Sequence, residues 1–143
     1  MKEIVTQLIT AFLGSLGFAL LFGLRRRYLF VSSLGGVIAW GVYLTMLAWT
    51  DVGFLSCLAA AAVAVVYAEL LAHGLKTPAT LFVIPAILPL VPGSSLYYAM
   101  SSAVRGDLLS ARDYGAQTLA YALAIAAGIS LVTAVRQLRA KKP

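Results

Sequence analysis

Charged residues are scarce in this chain: of its 143 residues only 11% are Asp, Glu, Lys or Arg, whereas 62% are hydrophobic. A soluble domain of average composition carries about 25% charged residues, so the composition excludes an ordinary soluble protein and indicates an integral membrane protein. The polar and apolar alternation of barrel strands is also missing, and the apolar runs have helical length. The predicted fold is an all-α integral membrane protein with a single transmembrane domain, residues 1–143.

Cysteine and histidine each occur once, as Cys57 and His73. A single cysteine forms no disulfide and no cysteine metal cluster within one copy of the chain. The sequence has no glycine-rich phosphate loop followed by Lys and Ser or Thr, which argues against use of ATP by this chain. One histidine near a membrane edge gives no credible Ser/His/Asp arrangement. We therefore expect no enzyme activity, no catalytic residue, no cofactor and no metal site.

Five apolar segments stand out, and their lengths predict transmembrane helices. The fourth is interrupted by prolines but, at about 1.5 Å per residue, is long enough to cross a bilayer. The first is too long for the apolar region of a signal peptide and ends in Arg25-Arg26-Arg27, so we expect it to remain as a span. The predicted spans cover roughly residues 4–24, 28–49, 54–75, 77–104 and 114–135.

The basic residues fall at alternate ends of these segments. If the N-terminus is outside, the inner segments contain basic residues and no acidic residue, whereas the outer segments mix both signs. This bias predicts five spans with the N-terminus outside and the C-terminus inside. In a four-span alternative, the first or second segment lies on the surface and one basic end falls on the wrong side. The inner basic residues are Arg25, Arg26, Arg27, Lys76, Arg136, Arg139, Lys141 and Lys142.

The formal net charge of +6 comes mainly from these segment ends. Charge in that position is a topology signal and not a nucleic-acid-binding face. We therefore expect the lipid bilayer as the environment of the chain and no nucleic acid as a partner.

The fourth segment contains the stretch Pro85–Ser95, in which three prolines are followed by Gly-Ser-Ser. A proline inside a helix has no N–H and clashes with the carbonyl four residues back. The prolines are therefore predicted to release the carbonyls of Leu81, Pro85 and Leu88. In hydrocarbon, such groups are tolerated only where protein or a water-filled cavity satisfies them. One interpretation is a functional break in the helix, and the alternative is a kinked helix whose carbonyls are covered by its neighbours.

The residues after Pro92 have the features of a new helix start, because proline fits the first turn of a helix. The N–H groups of Gly93, Ser94 and Ser95 would then be unpaired at the positive end of a half-helix, which favours carboxylates. Gly93 would let a ligand approach the backbone closely, and Tyr97 or its neighbour would supply a further donor one turn on. Discontinuous helices of this kind form the substrate sites of secondary transporters.

Glu69 is the only acidic residue inside a predicted apolar span. Intramembrane carboxylates are costly and often mark ion or proton paths, so Glu69 is a candidate proton-coupling or gating group. His73 and Lys76 lie four and seven residues later on the same helix face, so a structural ion pair or hydrogen bond near the headgroups is an equally open interpretation.

Three stretches and one tyrosine carry a resemblance to a known family: Glu69-Leu70-Leu71-Ala72-His73, Lys76-Thr77-Pro78-Ala79, Phe82–Ser94 with its Pro-x-x-Pro-Gly core, and Tyr97. They closely resemble the threonine/serine exporter family, in particular its small-subunit type, which is equivalent to the C-terminal half of the fused exporters. The resemblance is sharpest between Glu69 and Asp107. It implies export of small amino acids or, in some relatives, of a dicarboxylate such as succinate, together with a larger membrane subunit of related span number.

These observations predict a membrane subunit of a secondary, ion-gradient-driven exporter in the cytoplasmic (inner) membrane. The expected substrate is a small carboxylate-bearing metabolite, and the expected partner is the larger subunit of the same family, a second copy of the chain, or both. The alternative is a non-transporting membrane scaffold or an assembly subunit of another complex. The predicted substrate-binding residues are Pro85, Pro89, Pro92, Gly93, Ser94, Ser95 and Tyr97, and the possible proton-coupling residue is Glu69.

Overall fold

The structure is a computed structural model and describes the backbone of residues 2–140 and the side chains of residues 2–138. Every regular element within these residues is helical, which confirms the all-α class. A short 3-10 turn, Leu88–Leu90, separates the fourth helix from the fifth. The α-helices are α1 (Lys2–Leu21), α2 (Arg26–Thr50), α3 (Gly53–Leu75), α4 (Thr80–Ile87), α5 (Gly93–Val104) and α6 (Leu108–Ala140).

Four of these helices, α1, α2, α3 and α6, are each long and apolar enough to cross a membrane. The segments Thr80–Leu90 and Gly93–Val104 pass the same test only together, and their axes are bent by 52°. At about 1.5 Å per residue the two arms are about 16 Å and about 18 Å long. A bent pair of these lengths still reaches across a hydrocarbon core of about 30 Å. The predicted break of the fourth span is thus present.

The contacts between α3 and α6 establish that the bent pair crosses the bundle. Tyr121 packs against Gly53 near the start of α3, and Arg136 binds Glu69 near its end. Residue numbers therefore increase in the same direction along both helices, so the helices run parallel and begin at the same end of the bundle. A re-entrant loop that returned to its own side would have made α3 and α6 antiparallel. Within the described residues, five segments consequently cross the bundle.

The charged residues are segregated between the two ends of this bundle. We call the end at which α1 begins the first end and the opposite one the second end. Acidic residues occur beside basic ones at the first end, whereas the connections at the second end carry basic residues. This distribution follows the predicted pattern, although Lys141, Lys142 and the side chain of Arg139 lie outside the described residues. The second-end basic residues described are Arg25, Arg26, Arg27, Lys76 and Arg136.

Helix α6 begins well before the predicted start of the fifth span, because Asp107 caps it. A carboxylate oxygen of Asp107 accepts the N–H of Ser110 at 3.1 Å, and the Asp107 carbonyl accepts the N–H of Ala111 at 3.1 Å. An acidic residue at this position satisfies donors that a helix start leaves unpaired. The hydrogen bonds from Ser110 also lower the pKa of the Asp107 carboxyl group. Only residues 105–107 therefore separate α5 from α6.

The centre of the bundle is packed with small residues. The alanines Ala60, Ala61, Ala64 and Ala68 of α3 are fully buried against the neighbouring helices. A Cβ atom added to Gly128 of α6 would lie 2.7 Å from the carbonyl oxygen of Leu58. Small side chains let the helix backbones approach closely, which is how membrane helices gain packing energy without a hydrophobic driving force.

Candidate functional site

The break is a short non-helical passage between the 3-10 turn and α5. Val91 is extended, with φ −60° and ψ 125°, and Pro92 follows with φ −77° and ψ 57°. Gly93 is the first residue of α5. Pro92 therefore lies one residue before the new helix and not inside its first turn as predicted, because its ψ is not helical.

Two of the backbone groups predicted to be free at the break are already paired. The Leu88 carbonyl accepts the N–H of Val91 at 3.1 Å, and the N–H of Gly93 donates to the Val91 carbonyl at 2.7 Å. The chain turns tightly enough to satisfy these groups locally, as buried backbone generally must. The N–H groups of Ser94 and Ser95 have no acceptor within the described residues. Two unpaired N–H groups therefore remain at the start of α5, instead of the three that were predicted.

Ser95 is buried and is bonded within the protein. Its hydroxyl donates to the Pro92 carbonyl at 3.1 Å and accepts the hydroxyl of Thr118 at 3.0 Å, for which the Tyr114 carbonyl at 2.8 Å is a competing acceptor. These bonds attach the start of α5 to α6. The role of Ser95 in substrate binding stays a prediction. Thr118 was missed by the sequence interpretation, because a threonine in an apolar span carries no signal of its own.

The space beside the start of α5 is open. A Cβ atom added to Gly93 would have no atom within 4 Å, and Ser94 is exposed. Tyr97, one turn on, is 65% exposed and packs edge-on against Tyr98, with 5.5 Å between the ring centroids. A ligand of modest size can therefore approach the N–H group of Ser94 from this side, whereas Ser95 is buried.

The segment that contains the other two predicted prolines packs against a glycine pair on α2, through Ala86 and Pro89. Pro85 is fully buried, and the neighbouring Ala86 would lie 2.9 Å from a Cβ atom added to Gly35. Pro89 would lie 3.2 Å from a Cβ atom added to Gly36. The break is thus anchored on α2 by contacts that leave no space for a ligand at the Pro85 ring.

Glu69 forms an ion pair with Arg136 of α6, with 3.3 Å between the guanidinium nitrogen and the carboxylate oxygen. The Glu69 side chain is 16% exposed and the Arg136 side chain 62% exposed. The anticipated local partners on α3, His73 and Lys76, form no ion pair with Glu69 among the described residues. The parallel arrangement of α3 and α6 brings in Arg136, which spacing along a single helix does not reveal.

We expect Thr118→Val to lower the free energy of unfolding by about 0.5–1.5 kcal/mol, because it removes one partly buried hydrogen bond between helices. Thermal unfolding in detergent measures the change. Thr133→Val is the matched control, because the Thr133 hydroxyl bonds only to carbonyls of its own helix, at 2.9 Å and 3.0 Å. Equal effects of the two substitutions would show that the bond to Ser95 does not stabilise the start of α5.

Taken together, five crossing segments, a broken fourth span and charges gathered at the two ends define a multi-pass α-helical membrane protein with a discontinuous helix. A family model described as "Threonine/Serine exporter, ThrE" matches residues 7–135, and the chain belongs to this family. Comparisons with curated proteins and with solved structures gave no match. The match confirms the family that the residues around the break suggested, and it reaches from α1 through the break and into α6. The chain is a membrane transport protein that handles small substrates.

Proposed function

We propose that this chain is a subunit of a secondary, ion-gradient-driven exporter of small amino acids such as threonine or serine. The observation that carries the proposal is the start of α5, where the N–H groups of Ser94 and Ser95 lack an acceptor among the described residues and Ser94 is exposed beside the open space at Gly93. Unpaired N–H groups at a helix start attract carboxylates. The substrate carboxylate binds there. A small dicarboxylate such as succinate offers the same group and is the second substrate class.

The proposed orientation places the second end in the cytoplasm, with the N-terminus outside and the C-terminus inside. The basic connections at Arg25–Arg27 and Lys76 support this orientation through the positive-inside rule. The proposed location is the cytoplasmic (inner) membrane. A substrate that moves outward then leaves at the first end of the bundle.

The proposed partner is a larger membrane subunit of the same family, a second copy of this chain, or both. Helix α5 packs along α6 and leaves a face exposed that includes Tyr97, Met100 and Val104, which are 64–89% exposed. A partner helix on that face would enclose the break and shield a bound substrate from lipid. Enclosure also strengthens the electrostatic attraction between the helix start and a carboxylate.

Flux from reconstituted vesicles tests the transport function directly. The vesicles are loaded with labelled threonine, serine or succinate and contain this chain alone or with its larger family partner. We expect release of threonine or serine that depends on an imposed ion gradient. Release of succinate alone would show that the substrate is a dicarboxylate and not an amino acid. If the complete assembly releases none of the three, the exporter function is wrong and the scaffold alternative gains support.

Glu69 is the proposed proton-coupling residue, because it is a carboxylate within a membrane helix and has a largely exposed partner in Arg136. We expect Glu69→Gln to flatten the pH dependence of flux, which for one required proton reaches about tenfold per pH unit. Arg136→Gln is the matched control, because it breaks the ion pair and keeps the carboxylate. An unaltered pH profile in Glu69→Gln, or equal flattening in both variants, would return Glu69 to a purely structural role.

A further inference from the structure

A cavity of about 550 Å³ lies between α1, α2 and the 3-10 turn, away from the start of α5. The first half of α1 and Trp40 of α2 form its walls, and Leu88 and Pro89 bound it at the depth of the break. Small-molecule sites typically enclose about 300–1,000 Å³. The cavity therefore has the size of a ligand site and connects the break with the first end of the bundle.

The bend of the fourth span creates this space. Helix α4 packs against α2 and α3 and also contacts α1, whereas α5 turns away by 52° and packs along α6. A straight continuation of α4 would have run on beside α1 and α2 and filled the cavity. The break thus has a second consequence besides the exposed helix start, because it opens a passage on the opposite side of the bend.

The part of α1 that lines the cavity is polar, although α1 is a membrane-spanning helix. Its polar residues are spaced by three or four positions and therefore share one helix face. The exposed residue Val5 lies five positions before Thr10, about 140° around a helix of 3.6 residues per turn, and suits lipid. Polar groups within membrane spans face protein or a water-filled cavity. Most of the cavity wall is apolar, as in small-molecule sites that hold a few placed polar groups in an apolar lining. The polar residues lining the cavity are Lys2, Glu3, Thr6, Gln7 and Thr10.

The polar groups of this face offer both donors and acceptors to a ligand. The hydroxyls of Thr6 and Thr10 donate to carbonyls of their own helix at 2.9 Å and 2.8 Å, so their oxygens are left to accept an ammonium hydrogen. The Gln7 carbonyl oxygen accepts the Trp40 indole N–H at 3.3 Å. That bond turns the Gln7 amide nitrogen outward as a donor, and no acceptor for it lies within the described residues. A carboxylate fits this donor.

Charges of both signs stand at the mouth of the cavity. Lys2 and Glu3 are adjacent, exposed and part of the cavity wall. A site built for a simple anion would favour one sign of charge, because a nearby carboxylate repels the ligand. A ligand with an ammonium and a carboxylate on the same carbon finds a partner for each. The chemistry therefore matches a small zwitterion better than a dicarboxylate.

We propose that this cavity is a water-filled vestibule that binds small zwitterionic amino acids between the break and the first end of the bundle. The Gln7 amide holds the carboxylate, and the hydroxyl oxygens of Thr6 and Thr10 hold the ammonium group. This inference rests on the proposed exporter function and adds to it a second substrate position and a preference for amino acids over dicarboxylates.

Cysteine labelling of the complete assembly in vesicles tests the vestibule. Cys57 is the only cysteine of this chain and is buried, so Cys57→Ala gives a chain without thiols, and the label is counted on this chain alone after its separation from the partner. In that background we expect Thr10→Cys to react with a charged, water-soluble methanethiosulfonate about tenfold faster than Val5→Cys, because the reactive thiolate forms in water. Threonine should slow the reaction of Thr10→Cys. Equal, slow reaction of both variants, as lipid or a partner helix in the cavity would produce, overturns the proposal, as does a reaction that threonine leaves unchanged.

A flux measurement separates this inference from the exporter function itself. We expect Gln7→Leu to raise the KM for threonine about tenfold, as loss of a hydrogen bond to a charged group does, whereas the lipid-facing Val5→Ala leaves it unchanged. If threonine flux is present but Thr10→Cys is unreactive and Gln7→Leu has a normal KM, the vestibule is refuted. The exporter function is then unaffected. Absence of flux for every substrate refutes both.

Discussion

Gly36→Ala is expected to lower the free energy of unfolding by about 1–3 kcal/mol, the usual effect of overpacking a well-packed interior. Gly36 is buried where α1, α2 and the 3-10 turn meet. An added Cβ atom would overlap the hydroxyl of Ser15 and would lie 2.9 Å from the Ser15 Cβ and 3.2 Å from the Pro89 ring. Rotation of the serine hydroxyl relieves only the first contact, so α1 or the break must shift.

Two further variants make this expectation specific. Gly41→Ala, on the same helix, places its methyl group in open space and should leave stability equal or slightly higher, because alanine favours helix. Ser15→Gly removes the opposing side chain and should restore most of the stability lost in Gly36→Ala. Thermal unfolding in detergent and the amount of protein in the membrane are the measurements. Equal stability of the two alanine variants would contradict the close packing of α1 on α2.

Gly93→Leu is expected to reduce export about a hundredfold while the protein still folds and reaches the membrane. The structure has no atom within 4 Å of an added Cβ atom at Gly93, so the leucine side chain meets no obstacle in the protein. It would occupy the space from which a carboxylate reaches Ser94 and Ser95. Displacement of a substrate by even about 1 Å can reduce a rate by about a hundredfold.

Gly115→Leu is the matched control for this substitution, because an added Cβ atom at Gly115 on α6 also meets nothing within 4 Å. Export by Gly115→Leu should stay near the unmodified rate, and Gly93→Ala should fall between the two. Flux of labelled threonine, normalised to the amount of protein in the vesicles, is the measurement. Normal export by Gly93→Leu would show that the start of α5 is not part of the substrate path.

The main features of the fold were predictable because they depend on local composition. Runs of apolar residues predicted the long helices, and three closely spaced prolines predicted the break between Pro85 and Pro92. Each of these signals acts through the backbone of its own segment and needs no knowledge of neighbours. The bounds of the second and third spans accordingly differ from those of α2 and α3 by two residues at most.

The details of the candidate site were less predictable because they depend on how segments meet. The pairing of the Gly93 N–H with the Val91 carbonyl follows from the dihedral angles of the turn, which proline positions alone do not fix. The partner of Glu69 follows from the parallel contact between α3 and α6. The cavity beside α1 follows from the direction in which α5 bends. A polar residue such as Gln7 becomes a candidate ligand-binding residue only once that direction is known.

The connections between the helices are short: two residues join α2 to α3, and residues 105–107 join α5 to α6. At the end where substrate is proposed to leave, such connections are too short to fold over the opening as a lid. If the substrate site opens alternately to the two sides of the membrane, whole helices must tilt to open and close it. The natural pivot is Val91–Gly93, where Pro92 holds one dihedral fixed and the rotation falls on the bonds either side of it. Rotation of α5 about this pivot towards α1 would close the vestibule and would at the same time expose α6.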